Sequence, residues 1–192
     1  MTNDDDEFPD DPLLLQQKFK DQAWGGKRLR PISLFAYLSD KELEELYQIG
    51  KIVIHNAKTN IVIESEPTRG LYVLLHGLVS VYKRDTVNNN LIRLAFLEHG
   101  AVFGELSLFD DAPRSATVVT ETQSSLFHLD QQLFQLFLEE KGASLQARFY
   151  KKCAEEMASR FRKQNSDYVV SQHLLWKYAL RKSDDKKAEA EK

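Results

Sequence analysis

The sequence predicts an α+β, mainly β fold: a small sandwich or barrel of short strands with flanking helices and a long C-terminal helix. Three observations carry this expectation. Short runs rich in β-branched residues recur between residues 51 and 129, separated by turn signals such as Pro67-Thr68-Arg69-Gly70 and Asn88-Asn89-Asn90. After Leu129-Asp130 the apolar period changes from strand-like to helical. Ser39-Asp40-Lys41-Glu42 has the form of a capping box, in which a serine hydroxyl and a glutamate three residues on satisfy each other's backbone amides.

On this reading the chain has an acidic N-terminal extension (1–33), a central domain (34–143) and a C-terminal helix with a charged tail (144–192). Residues 1–12 are Asp-rich and contain Pro9 and Pro12, the composition of a disordered segment. Residues 13–30 open on Leu13-Leu14-Leu15 and turn basic at Lys27-Arg28-Leu29-Arg30. Arg30 to Ser33 forms an Arg-x-x-Ser pattern, suited to a kinase or to mimicry of its substrate. The capping box opens a helix with Leu43, Leu46 and Ile49 on one face. Strands are expected at 51–55, 60–64, 71–75, 78–83, 91–97, 116–120 and 125–129. Leu133, Phe134, Phe137 and Leu138 then make one apolar helical face, which Gly142 ends.

A longer helix follows, with Leu145, Phe149, Cys153, Met157 and Phe161 at intervals of four. A strict four-residue repeat drifts around the helix, so this is a broad stripe and not a coiled-coil seam. Beyond it, Tyr168, Val169, Leu174, Leu175, Trp176, Tyr178 and Leu180 form an apolar patch, to be covered by the domain, a twin subunit or a partner.

Composition excludes several functions. A net charge of −3 gives no electrostatic case for nucleic-acid binding. The single cysteine, Cys153, excludes a disulfide within one chain and reads as a core or interface residue. No apolar stretch approaches the ~18 residues of a membrane span, and the start Met-Thr-Asn-Asp-Asp-Asp-Glu is acidic, unlike a signal peptide. A cytoplasmic location is the expectation. The histidines, His55, His76, His99, His128 and His173, are scattered without metal-ligand spacing. With no Gly-x-Ser-x-Gly elbow and no Walker loop, the chain reads as a non-enzyme without metal or cofactor.

Residues 103–118 are the most informative run: Phe-Gly-Glu-Leu-Ser-Leu-Phe-Asp-Asp-Ala-Pro-Arg-Ser-Ala-Thr-Val. Gly104, without a Cβ, lets backbone approach a ligand closely. One helical turn over 105–108 would leave its first amides pointing outward, ready for an anion. Arg114 adds a planar, permanently charged fork suited to phosphate oxygens, with the Ser115 hydroxyl beside it. Glu105 looks misplaced near an anion unless it accepts a hydrogen bond from a sugar hydroxyl. The combination implies a nucleotide of low charge.

This run resembles the phosphate-binding cassette of cyclic-nucleotide-binding domains, found in catabolite activator protein and the regulatory subunits of protein kinase A. The Gly-Leu-Tyr at Gly70, the Gly-Leu-Val at Gly77 and the stretch His99-Gly100-Ala-Val-Phe-Gly104 are similar to the same family, over about residues 34–165. The resemblance implies a cyclic-nucleotide-binding β-roll, jelly-roll-like, and a regulatory protein that binds a cyclic mononucleotide, cAMP rather than cGMP. By resemblance, Gly104 and Glu105 face the ribose 2′-hydroxyl, Leu106 and Ser107 offer amides, and Arg114, Ser115 and Ala116 hold the cyclic phosphate. The long helix would lid the pocket and pair two subunits, with Gln164 and Asn165 as possible base contacts. It would shift position on binding and signal to an effector that the sequence leaves unknown.

The sequence departs from the family at two turns. The usual Pro-Gly before the second strand is Lys58-Thr59, and the usual Gly after it is Ser65. Other readings stay open: a cGMP-selective sensor, a relative of catabolite activator protein without its own helix-turn-helix domain, and an interaction module without ligand. Residues 166–192 are too few for an independent DNA-binding domain, and the intact Glu105/Arg114 pair argues against loss of the ligand.

Overall fold

The architecture comes from a computed structural model that describes residues 25–109 and 112–190, with side chains as far as Tyr178. The expectations for residues 1–24, and for Leu180 in the apolar patch, lie outside the residues and side chains described. The chain divides into two units, one ending at Gln146 and the other beginning at Ala147.

In the first unit, short 3-10 turns at Gly26–Leu29 and Ser33–Phe35 precede helix α1 (Asp40–Ile49). The expected capping box is present: Glu42 N–H donates to Ser39 Oγ at 3.2 Å, and Ser39 N–H donates to Glu42 Oε2 at 2.7 Å. Leu43 and Leu46 are buried, as the spacing requires. Arg30 is committed locally, donating to Leu38 O at 2.7 Å and pairing with Asp40. The Arg-x-x-Ser arginine therefore braces the entry to α1.

Eight strands follow: β1 (Lys51–His55), β2 (Asn60–Val62), β3 (Leu71–His76), β4 (Val79–Arg84), β5 (Leu91–Leu97), β6 (Val102–Phe103), β7 (Thr117–Thr120) and β8 (Ser124–Leu129). They form two four-stranded antiparallel sheets, ordered β1-β8-β3-β6 and β2-β7-β4-β5. Leu74, Phe103 and Leu126 from the first sheet meet Val62, Val79 and Val118 from the second in a buried core. Two sheets packed this way make the β-roll. At the edge of the second sheet, β5 is exposed along most of its length, including Leu91, Ile92, Leu94 and Phe96. Its register against β4 shifts between the Val81↔Ala95 and Tyr82↔Arg93 pairs, so Leu94 is an extra residue.

Helix α2 (Gln131–Lys141) starts at Asp130, whose carboxylate accepts from the amides of Gln132 and Leu133. Phe134, Phe137 and Leu138 are buried, but Leu133 is 46% exposed. The expected four-residue face is thus three residues wide: Leu133 lies about 100° around the helix from Phe134. Lys141 of α2 pairs with Glu45 of α1 at 2.6 Å, tying the two helices together.

Helix α3 (Ala143–Ala190) begins in the first unit, where Leu145 is buried, and makes up the described part of the second. Within the second unit Lys152 pairs with Glu156 at 3.4 Å, an i,i+4 contact. Phe161, Tyr168, Val169, Leu174, Leu175, Trp176 and Tyr178 are all more than half exposed. Among the described residues no helix is long and apolar enough to cross a membrane.

Strand β6 was not foreseen, because two residues carry no alternation. At both turns that depart from the family, a side chain sits in left-handed backbone: Lys58 has φ 61° and Ser65 has φ 69°. The Lys58 turn is held by its N–H to Thr120 O at 2.7 Å and by an ion pair from its ammonium to Glu121. That lysine, with a bond from the Tyr82 hydroxyl, pushes the Glu121 carboxyl down to about 2. At Ser65 the amide donates to Arg114 O at 2.9 Å. Ser65→Gly keeps that bond and relieves about 1 kcal/mol of left-handed strain. A urea titration is expected to show a gain of that order, and no gain would mean the position is unstrained.

Candidate functional site

Gly104 adopts left-handed backbone (φ 78°, ψ 4°) and opens a 3-10 turn, Glu105–Leu108. A Cβ there would lie 2.7 Å from Arg114 Nη1 and 2.9 Å from Gly70 O, so both its conformation and its surroundings require glycine. Inside the turn the buried Ser107 hydroxyl donates to Gly104 O at 2.8 Å and accepts from Gly70 N–H at 3.1 Å. The Ser107 amide, expected to face outward, makes a long bond of 3.4 Å to Gly104 O. Its side chain therefore does more in this structure than its amide.

Arg114 lies just before β7 and is 6% exposed. Its backbone is fixed by pairing with the 65–66 segment: Arg114 N–H donates to Glu66 O at 3.0 Å, and Arg114 O accepts from Ser65. The guanidinium donates from Nε to Thr68 Oγ1 (3.2 Å), from Nη1 to Gly104 O (2.9 Å) and Ser107 Oγ (3.3 Å), and from Nη2 to Gly70 O (2.8 Å). All four acceptors are neutral oxygens. Burial lowers its pKa from the usual value, while Tyr72 and Glu105 act in the opposite direction. Among the described residues no carboxylate is hydrogen-bonded to this cation, an arrangement suited to an anion site.

The structure thus brings Gly104, Ser107 and Arg114 into one bonded cluster, with Glu105 close enough to act on the arginine electrostatically. Ser115 is exposed next to the guanidinium's anchor point, Ala116 is half-buried, and Leu106 is 45% exposed. Gln164 and Asn165 belong to the second unit, where both are exposed. Sequence reasoning missed Thr68 and Gly70 as partners of the arginine, marking Thr68 as part of a turn and Gly70 as that turn's end and the start of a family-like segment. A Cβ on Gly70 would meet Leu129 O at 2.6 Å and His128 Nε2 at 3.0 Å, so this glycine too is held between neighbours. Beneath it the Tyr72 ring stacks on Phe103 (centroids 5.3 Å apart) and tilts against His128 (4.5 Å).

Residues 53–141 match the family model of the cyclic nucleotide-binding domain. This segment belongs to that family. The β-roll around the arginine is therefore a cyclic-nucleotide-binding fold. A regulatory subunit of cAMP-dependent protein kinase from Neurospora crassa is 25% identical over 126 residues, covering 66% of this chain and 32% of that protein. The chain therefore spans about a third of the length of that curated relative. Among solved structures, cAMP-bound PfPKA-R is 30% identical with a TM-score of 0.54, covering 60% of this chain and 41% of that one. Catabolite activator protein from Thermus thermophilus has a TM-score of 0.62 at 22% identity, covering 72% and 62%, which is a likeness of fold.

A pH-sensitive histidine lies beside Gly70 and Tyr72. His128 has its pKa lowered from 6.5, first by burial and then by Lys51, with Arg114 adding to the effect and Asp130 opposing it. A depressed folded value means that this stability is present above the unfolded pKa of about 6.5 and is lost as pH falls through the lower folded value. Unfolding free energy measured at pH 7.5 and 5.5 should therefore drop on acidification, and His128→Gln should shrink the drop. Equal drops in both proteins would remove His128 as a cause.

Proposed function

We propose that the protein is a non-enzymatic cyclic-nucleotide sensor that binds cAMP in preference to cGMP and signals through its C-terminal helix to a protein effector in the cytoplasm. The observation that carries this reading is the buried Arg114 guanidinium, held among the described residues by neutral oxygens beside Gly104 and Glu105. Arg114, the Ser115 hydroxyl and the Ala116 amide take the cyclic phosphate. The Leu106 amide joins them, and so does that of Ser107 once its long bond to Gly104 is exchanged. Gly104 and Glu105 hold the ribose 2′-hydroxyl, the acid accepting its hydrogen bond. Gln164 and Asn165 of the second unit read the base, since an amide donates and accepts at once. The PfPKA-R structure, described as cAMP-bound, supports the choice of ligand.

Binding changes the population of two states, and the ligand's differential affinity for them sets the size of the response. We take the central domain as 34–143, with 144–192 as the responding helix and tail and 1–33 as an extension.

Isothermal titration tests the site. Wild-type protein is expected to bind cAMP, and saturation at 100 times the dissociation constant should add about 2.7 kcal/mol of stability. Arg114→Ala should weaken binding about 30-fold or more, since it strips the countercharge from a desolvated phosphate. Glu105→Gln should cost less because it keeps an acceptor. Wild-type affinity in Arg114→Ala would place the phosphate elsewhere, and tenfold tighter binding of cGMP would reverse the selectivity.

The exposed apolar side chains of the second unit support a homodimer paired along α3. Light scattering at tens of micromolar should give the mass of two chains for the wild type and of one chain for Met157→Glu with its fold retained. A monomeric wild type would end the dimer.

A further inference from the structure

Strand β4 places Val79 in the buried core between the sheets, with Val81 packed against it. Side chains alternate along a strand, so Lys83 continues the same inward row. β2 ends at Val62, which is in the core, and Glu64 lies in the turn that follows it. The row on β4 therefore ends in a charge, Lys83, whose side chain is 45% exposed, and the turn after β2 supplies the opposite one. The charges meet. Lys83 Nζ donates to Glu64 Oε1 at 2.6 Å, and Glu64 Oε2 accepts from Arg84 N–H at 3.0 Å. The Glu64 side chain is only 18% exposed, and its carboxyl pKa is lowered, chiefly by the Lys83 bond.

The same ammonium donates to Ser115 O at 2.7 Å. Ser115 is the residue next to the phosphate-binding arginine, and its carbonyl belongs to the Ser115–Ala116 peptide. That peptide is planar and trans, so fixing the carbonyl direction fixes the Ala116 N–H on the opposite side. The Arg114 carbonyl is separately fixed by the Ser65 amide, and the Thr117 hydroxyl accepts from Glu64 N–H at 3.0 Å. The segment from Arg114 to Thr117 is thus held at residues 114, 115 and 117, and of these three contacts the one from Lys83 is made by a charged group.

We propose that Lys83 is a positioning residue for the phosphate end of the site: steadied by Glu64, it orients the Ser115–Ala116 peptide so that the Ala116 N–H and the Ser115 hydroxyl address the ligand's exocyclic oxygens. This rests on the cyclic-nucleotide reading above. It assigns work to a lysine and a glutamate that lie outside the cassette, the lysine 32 residues from Ser115 in sequence.

The test uses the full chain with cAMP and its two phosphorothioate diastereomers, in which sulfur replaces one or the other exocyclic oxygen. Lys83→Met should weaken cAMP binding about tenfold, the scale of one lost charge-assisted hydrogen bond, and should change the affinity ratio of the diastereomers. Lys83→Arg, which keeps a cationic donor, should restore both. A merely structural lysine would lower the melting temperature without moving that ratio. If Lys83→Met does not fold, Glu64→Gln carries the test: it loosens the ammonium while leaving its charge, and should shift the ratio in the same direction. A folded Lys83→Met with wild-type affinity and ratio overturns the proposal, as does an unchanged ratio in Glu64→Gln. A wild type that binds neither cAMP nor cGMP overturns this proposal and the nucleotide reading together, whereas a binding wild type with a silent lysine overturns this one alone.

Discussion

The contact on which the site depends is the hydrogen bonding of one guanidinium to two backbone carbonyls from distant parts of the chain. Arg114 reaches Gly104 O at the start of the cassette turn and Gly70 O at the start of β3. These bonds bring the loop before β3, the turn after β6 and the approach to β7 to a common point. Both carbonyls belong to residues where a Cβ would collide with its surroundings, so the absence of side chains at 70 and 104 is what lets the arginine close the gap. Burying a cation among neutral dipoles costs stability. The fold sustains that cost because the sheets on either side are anchored by an apolar core that needs no charge.

A second constraint comes from the way the core ends. Val79 and Val81 line the core side of β4 and Val62 ends β2 in the same core, and beyond them Lys83 meets Glu64 of the turn after β2. The opposite charges satisfy each other, and the ammonium also donates to Ser115 O, so the polar boundary of the core reaches the segment that carries Arg114.

Much of this was legible in the sequence. Seven strands of the eight were read from short β-branched-rich runs between turn signals, and the α1 cap from a serine and a glutamate three residues apart. The exceptions have physical causes. Strand β6, Val102–Phe103, is too short to show a period and exists because it pairs with Tyr72 and Val73. Leu133 was counted as core because it is apolar, yet the arc buried by Phe134, Phe137 and Leu138 does not reach it. In the cassette the residue types announced themselves, but the arginine's partners did not. Thr68 and Gly70 lie 46 and 44 residues away in sequence, and only the closed fold joins them to Arg114. Lys83 and Glu64 were illegible for a related reason. A charged residue at a strand end reads as solvated, and only the register of β4 against β7 sets it beside the cassette. The two unusual turns went the other way: the backbone kept the left-handed geometry of a glycine while the sequence supplied Lys58 and Ser65.

The edge strand β5 bears on how the protein behaves in a crowded solution. Seven residues of open strand edge, carrying Leu91, Ile92, Leu94 and Phe96, would offer a template for pairing with the edge of another molecule. Two features blunt it. The extra residue at Leu94 breaks the regular spacing that an incoming strand would need to match. Arg93 lies 4.2 Å from the centre of the Phe96 ring and covers its face with a charge that any docking strand would have to desolvate. Removing both at once would turn a protected rim into a nucleus for sheet-to-sheet aggregation, so the solubility of the β-roll rests on an irregularity that contributes nothing to its ligand site.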